Sequence, residues 1–275
     1  LPIWDMERLG ARRSSPRVRS LGRGPRLRSR SPSVSEEIVT SLQNPRVKQL
    51  VKLREPRERR KTGLTRIDGA RELLRALQAD VEPSVVYVCE ARLRAGEATE
   101  AVSRARTRGV PIQPVNEAVY DKIRYGDRDE GLCAVLSWRP AALDTITLRS
   151  EAFVLVVEAV EKPGNLGAIL RTADAAGVDA VVLADPACEP ANPNVIRASM
   201  GTLFTQPVAV ASASDVIAWL DEHTVGAIVT RPQATDLYTD VDLTGPVAVV
   251  LGAEHAGLSA AWDDADATCV RIPMA

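Results

Sequence analysis

Between residues 153 and 272 the chain repeats six short apolar runs: Phe153 to Val157, Ala180 to Leu183, Val208 to Ala211, Gly226 to Val229, Val247 to Leu251 and Cys269 to Ile272. They are continuous Val, Leu and Ala without polar alternation, the mark of strands covered on both faces, and helical stretches separate them. That combination requires an α/β fold with a mostly parallel sheet and flanking helices. In such sheets ligands bind beyond the carboxyl ends of the strands, so the loops that follow these runs are where chemistry is expected.

The preceding region, residues 34–140, reads as a second and smaller α/β unit. Ile38, Leu42, Val47, Leu50, Val51 and Leu53 have helical spacing, interrupted by Asn44-Pro45. A short segment at Leu64 to Asp68 and a helix over Gly69 to Gln78 follow. A strand at Val85 to Cys89, a helix around Ala95 to Arg108, a short strand near Val110 to Pro114, a helix near Glu117 to Ile123 and a strand at Leu132 to Trp138 complete the unit.

Charge divides the chain more sharply than its net value of -1 suggests. Residues 1 to 75 hold 20 Lys+Arg against 8 Asp+Glu, and the remaining residues hold 15 against 28. The basic part suits a polyanion. Residues 1–33, rich in Arg, Ser, Pro and Gly, read as a basic disordered tail, either an RNA-binding arm or residues from a misplaced start. Eight cations between Arg46 and Lys61, against two acids, make RNA contact through Arg46 and Lys48 a better reading than a merely solvated face.

Cys89, Cys133, Cys188 and Cys269 lack the paired spacing of a zinc site and are expected to be reduced, buried small hydrophobes; His223 and His255 are too few for a histidine metal centre. No metal is expected. Without a long apolar run or a secretory h-region, neither a membrane nor export is expected, and the default location is cytoplasmic.

Four loop segments could carry chemistry. After the first apolar run come Glu161-Lys162-Pro163-Gly164 and then Asn165-Leu-Gly-Ala-Ile-Leu-Arg171. Asn165 is placed as a helix N-cap, and Gly167 and Arg171, four apart, share a face, so Arg171 would lean back over the gap left by the glycine. A purely structural alternative pairs Arg171 with Asp174 or Asp179. After Val247 to Val250 comes Leu251-Gly252-Ala253-Glu254-His255-Ala256-Gly257-Leu258, where Gly252 permits close approach of a ligand and Glu254 precedes a helix opened by Gly257-Leu258-Ser259. The third segment is Cys269-Val-Arg-Ile272-Pro-Met274. In the fourth, Asn192-Pro193 opens a helix carrying Arg197, read as an RNA-phosphate contact or a surface ion pair.

In order and spacing, Asn165-x-Gly-x-x-x-Arg171, Leu251-Gly-x-Glu254-x-x-Gly257-Leu258 and Ile272-Pro-Met274 resemble the three signature motifs of the SpoU/TrmH branch of the SPOUT RNA methyltransferases, and Arg197-Ala-Ser-Met-Gly201 with Phe204 resembles that family's intermediate helix. The resemblance covers residues 151–275. The smaller unit looks like the L30e-like RNA-binding domain common in the family.

The resemblance implies a trefoil knot, S-adenosylmethionine as methyl donor, a homodimer, and methylation of a ribose 2'-hydroxyl in ribosomal RNA, favoured over transfer RNA. It assigns donor contacts to Gly252, Leu251, Ile272, Met274 and the loop at Thr230-Arg231. It assigns the catalytic positions to Asn165, Arg171 and Glu254. A guanidinium stays protonated, so Arg171 is better suited to clamping phosphate and stabilising a developing alkoxide than to acting as a base; Glu254 would orient either Arg171 or the Asn165 amide.

Chains of this family continue past Ile-Pro-Met through a Ser-Leu-Asn segment and a helix. This chain stops at Ala275, which implies a C-terminally truncated domain whose knot need not be complete. The competing reading is an RNA-binding module that does not methylate. An ordinary dinucleotide-binding enzyme is disfavoured, because no G-x-G-x-x-G follows a strand.

Overall fold

The computed structural model describes residues 37–273. The expected tail at 1–33 and Met274 lie outside the described residues.

Asn44 accepts a hydrogen bond from the Arg46 amide (2.9 Å) and opens helix α1 (Pro45–Lys52). The Asn44-Pro45 pair therefore starts a helix and does not interrupt one: proline has no N–H to lose at the first helical position, and its φ already suits it. Pro56 repeats the device and opens α2 (Pro56–Thr62), so the basic run is shared between two short helices.

Then follow β1 (Leu64–Ile67), α3 (Ala70–Gln78), β2 (Val85–Val88), α4 (Glu97–Thr107), β3 (Ile112–Pro114), α5 (Glu117–Ile123) and β4 (Leu132–Ser137). These strands form a sheet of order β1-β4-β2-β3, with β4 antiparallel to β1 and β2, and β2 parallel to β3. Successive side chains point to opposite faces. Tyr87, Cys133 and Val135 meet α1 and α5 through Leu50, Val119 and Ile123. Val86, Leu132, Ala134 and Leu136 meet α3 and α4 through Leu73, Leu77 and Val102.

Arg66, on β1, is fully buried. Its guanidinium reaches Asp68 (2.8 Å from Nε), the Leu50 carbonyl (3.2 Å), the Ile123 carbonyl and Cys133 Sγ (3.3 Å). Arg66→Ala leaves a carboxylate and two buried carbonyls unpaired, so a loss of about 3–5 kcal/mol is expected. Thermal melting should fall by at least roughly 6 °C. A shift of less than a degree would show that water restores these bonds.

The second sheet contains β5 (Phe153–Glu158), β6 (Ala180–Ala184), β7 (Val208–Ala211), β8 (Gly226–Thr230), β9 (Asp236–Leu237), β10 (Val247–Leu251) and β11 (Ala267–Arg271), with helices α6 (Pro163–Ala176), α7 (Pro193–Ala198) and α8 (Ala213–Glu222). Its order is β7-β6-β5-β10-β8-β11-β9, and every pairing is parallel. All six apolar runs are strands. The two-residue β9 was not foreseen, because no apolar run marks it.

On one face Val216, Trp219, Leu220 and Trp262 cover Val154, Val156, Val182 and Val250. On the other, Leu166, Leu170, Ile196 and Leu203 cover Val157, Val181 and Leu183, and this cluster continues without a break into Leu73, Leu77 and Leu132 of the smaller sheet. The two sheets thus share one core. Trp138 meets Phe204 edge-on at 6.4 Å, and Ala141 bridges to Ala209 beside β7.

Among the described residues no helix is long and apolar enough to cross a membrane. Three cysteines are buried free thiols as expected, but Cys269 is exposed, as is its neighbour Thr268.

Candidate active site

The carboxyl ends of β5, β10, β8 and β11 lie side by side in the sheet, so the loops that follow them are neighbours. β5 ends in Glu158, 3% exposed, which accepts a hydrogen bond from the Ser259 amide (2.9 Å) and so ties the first loop to the segment after β10. Ala159 follows at φ +52°, the left-handed region that costs a residue with a Cβ about 1 kcal/mol or more. The chain is forced into a sharp turn there.

Asn165 is not the N-cap. Pro163 takes the first helical position, Lys162 becomes the cap residue and Asn165 falls third. Its side-chain amide instead lies near enough to Glu254 to favour that carboxylate slightly, and Glu254 Oε2 accepts from Lys162 Nζ at 2.7 Å. Of the two partners weighed for Glu254, the asparagine is the one engaged.

The Lys162 ammonium, with the Asn165 amide as a smaller contributor, holds the Glu254 carboxyl below its usual range; the same carboxylate holds Lys162 above its own. The carboxylate's contribution is complete above about pH 4.3 and is lost as pH falls through its lowered value. The ammonium's is complete below about pH 10.4 and is lost as pH rises through its raised value. Across the neutral range the contact is constant. Glu254→Gln is therefore expected to slow the methyl transfer that the sequence resemblance implies severalfold, without adding or removing an inflection in a rate profile between about pH 6 and 9. An inflection that the substitution abolishes would make Glu254 a titrating base.

Gly167 faces α7 at close range. A Cβ there would lie 2.4 Å from Ala198 Cβ and 2.7 Å from the Ser199 amide nitrogen, so the two helices pack almost backbone to backbone. Arg171, one turn further along, is exposed and donates from Nη1 to the Ala198 carbonyl at the end of α7, where a helix favours positive charge. The gap above Gly167 is thus filled by α7, and the guanidinium folds onto that helix. Pairing of Arg171 with Asp179 is ruled out: Asp179 accepts from Arg149 Nη2 (3.0 Å) and the Phe153 amide (2.8 Å).

Gly252 has a reason within the chain itself. Ala253 and Gly257 exchange both backbone hydrogen bonds (2.9 and 3.1 Å), and a Cβ at 252 would lie 2.3 Å from the Gly257 carbonyl carbon. Residues 252–258 therefore curl back over Gly252, so the backbone that approaches it closely is the loop's own. The helix expected after Gly257-Leu258-Ser259 is a single 3-10 turn, Ala260–Trp262. Thr230 Oγ1 donates to the Val250 carbonyl (2.9 Å), which ties β8 to β10 beside Leu251, and Ile272 is 47% exposed just past β11.

Arg197 lies over Gly126, against the loop between α5 and β4, and is half-buried. Arg46 is half-buried with Nη1 3.5 Å from Gln113 Oε1, and Lys48 is exposed. These three are not gathered around Glu254.

Residues 152–275 match the SpoU rRNA Methylase family, and residues 44–134 match the MRM3-like substrate binding domain. A 23S rRNA (guanosine-2'-O-)-methyltransferase of Xylella fastidiosa is 31% identical over 213 residues, spanning 73% of this chain and 85% of that protein. The chain belongs to the SpoU rRNA methylase family. Among solved structures, an RNA 2'-O ribose methyltransferase is 39% identical with a TM-score of 0.74, covering 87% of this chain and 90% of its own. An AdoMet-bound rRNA methyltransferase from Sinorhizobium meliloti is 28% identical with a TM-score of 0.77, covering 87% and 89%.

In this SpoU-family chain, Lys162 and Glu158 are the residues at the site that sequence reasoning passed over. Glu158 did carry a signal, being a carboxylate that closes an otherwise apolar run. Lys162 carried none beyond its place in the turn, since its partner is 92 residues away.

Proposed function

We propose that this chain transfers the methyl group of S-adenosylmethionine to a ribose 2'-hydroxyl of RNA, with ribosomal RNA as the substrate. The observation that carries this reading is the contact of Asn165 and Lys162 with Glu254, which joins the loop after β5 to the loop after β10 at one edge of the sheet. Family membership supplies the reaction.

The residues suit the donor. Ile272 and Leu251 offer apolar surface to an adenosyl group, and beside Thr230 the Arg231 Nε is buried without a partner. Gly252, Leu251, Thr230, Ile272 and Met274 are proposed to hold the donor, with Met274 outside the described residues. S-adenosylmethionine brings an already electrophilic methyl carbon, so the protein has chiefly to hold the attacking oxygen in line with it.

Arg171 sits six residues beyond Asn165, about 9 Å of helix rise, and leans back toward the start of α6. Rotation of its side chain away from Ala198 would bring the guanidinium toward the mouth, where it can clamp the target phosphate and stabilise the forming alkoxide. Asn165, set by Glu254, is proposed to orient the ribose. Arg46, Lys48 and Arg197 are proposed as RNA contacts, in a smaller domain of the L30e-like type. We further propose a homodimer, the family's trefoil knot and a cytoplasmic location.

Calorimetry with S-adenosylmethionine, followed by labelled methyl transfer to ribosomal and transfer RNA and nuclease mapping of the product, tests the reading. The expected result is donor binding and a 2'-O-methylated nucleotide in ribosomal RNA. Binding without transfer would mark an RNA-holding module instead.

A further inference from the structure

Helix α2 carries two opposed sets of cations. Arg57, Arg60 and Lys61 are spaced to share one face and are exposed; Arg59, on the opposite side, is 2% exposed. The inward guanidinium uses four of its five N–H donors. Its Nη1 donates to the Leu53 and Arg54 carbonyls (2.9 and 2.8 Å), closing the end of α1, while Nε and Nη2 both reach Glu189 Oε2 (3.1 and 2.8 Å).

Glu189 belongs to the loop after β6, at the carboxyl edge of the larger sheet. The neighbouring Cys188 amide donates to the Val160 carbonyl (2.9 Å), two residues before Lys162, and Thr65 Oγ1 donates to the Ala191 carbonyl (2.6 Å). A short path of hydrogen bonds thus leads from α2 to the loop that carries Lys162 and opens into α6.

An ion pair with a buried arginine and a Glu189 side chain 23% exposed contributes little net stability, since desolvation offsets its attraction; what it can fix is orientation. The two sheets already share an apolar core, so cohesion does not require it. We propose that Arg59 and Glu189 are positioning residues that hold α2, with Arg57, Arg60 and Lys61 gripping RNA phosphates, at a set distance from the methyl-transfer site. This rests on the RNA methyltransferase reading above.

The test uses the full chain in three forms: Glu189→Gln, which keeps shape and an acceptor but removes the charge; the triple Arg57→Ala, Arg60→Ala, Lys61→Ala; and the two combined. Donor affinity, melting temperature and kcat/KM for ribosomal RNA over a range of salt are measured on each. Loss of three phosphate contacts should flatten the logarithmic salt dependence by roughly 2 to 3 units. Glu189→Gln should lower kcat/KM on the order of tenfold, with donor affinity unchanged within about twofold.

The combined form should be no worse than the triple, because orientation ceases to matter once the grip is gone. Multiplying losses, an unchanged salt slope, or donor affinity falling in step with turnover would overturn the proposal. Transfer indifferent to Glu189→Gln would overturn it alone, whereas no transfer by the unaltered chain would overturn the activity and this inference together.

Discussion

Arg171→Ala is expected to bind S-adenosylmethionine within about twofold of the unaltered chain and to lose methyl transfer by roughly 10²–10³-fold, the scale seen when a positioned donor to a developing negative charge is removed. The side chain lies on the exposed flank of α6 with its bond to the Ala198 carbonyl, so it holds none of the residues proposed to bind the donor. Arg171→Lys should recover little, because one ammonium cannot reproduce a planar fork on a phosphate or an alkoxide. Calorimetry and single-turnover transfer on the same preparations decide the matter. Parallel loss of donor affinity and turnover would move Arg171 from the reaction to the architecture.

Gly252→Ala is expected to do the reverse, weakening the donor first. The added methyl would sit 2.3 Å from the Gly257 carbonyl carbon and 2.6 Å from the Leu258 nitrogen, both backbone atoms, so the curl of residues 252–258 must open. That shifts Glu254 away from Lys162 and Asn165 and moves the backbone past Leu251. Donor affinity should fall by about 100-fold or more, equivalent to roughly 3 kcal/mol. Melting should drop only a few degrees, because no residue of the loop is buried while the strand before it stays in the sheet. Retained affinity would show that the donor does not touch this loop. Gly257→Ala, where the added carbon meets open space but φ is +69°, separates backbone strain from the collision.

How far the fold could be read followed from the range of the signal. Apolar continuity is a property of consecutive residues, and it located Phe153–Glu158, Ala180–Ala184 and Val247–Leu251 to within a residue. It could not give the order β7-β6-β5-β10-β8-β11-β9, since neighbours such as β5 and β10 are far apart in sequence and any of these strands offers the same backbone hydrogen bonds. Asn165 shows the same limit at the site. It was recognised as a helix-start residue, but a proline two positions earlier shifted the start and released its amide for Glu254.

The reason given for a residue was also less secure than its selection. Gly167 and Gly252 were singled out as glycines that matter, yet what each makes room for is Ala198 in one case and Gly257 in the other. Arg59 drew notice only as one charge in a basic run. Its charged partner, Glu189, is 130 residues away.

By itself, then, the sequence determined the local terms: which stretches bury both faces, and that the signature residues of one methyltransferase family stand in order. The tertiary structure alone decided which of those residues touch, because a hydrogen bond or an excluded Cβ depends on distances between atoms that the chain brings together only on folding. Glu254 meeting Lys162, Arg171 resting on Ala198 and one core spanning two sheets are all facts of that kind.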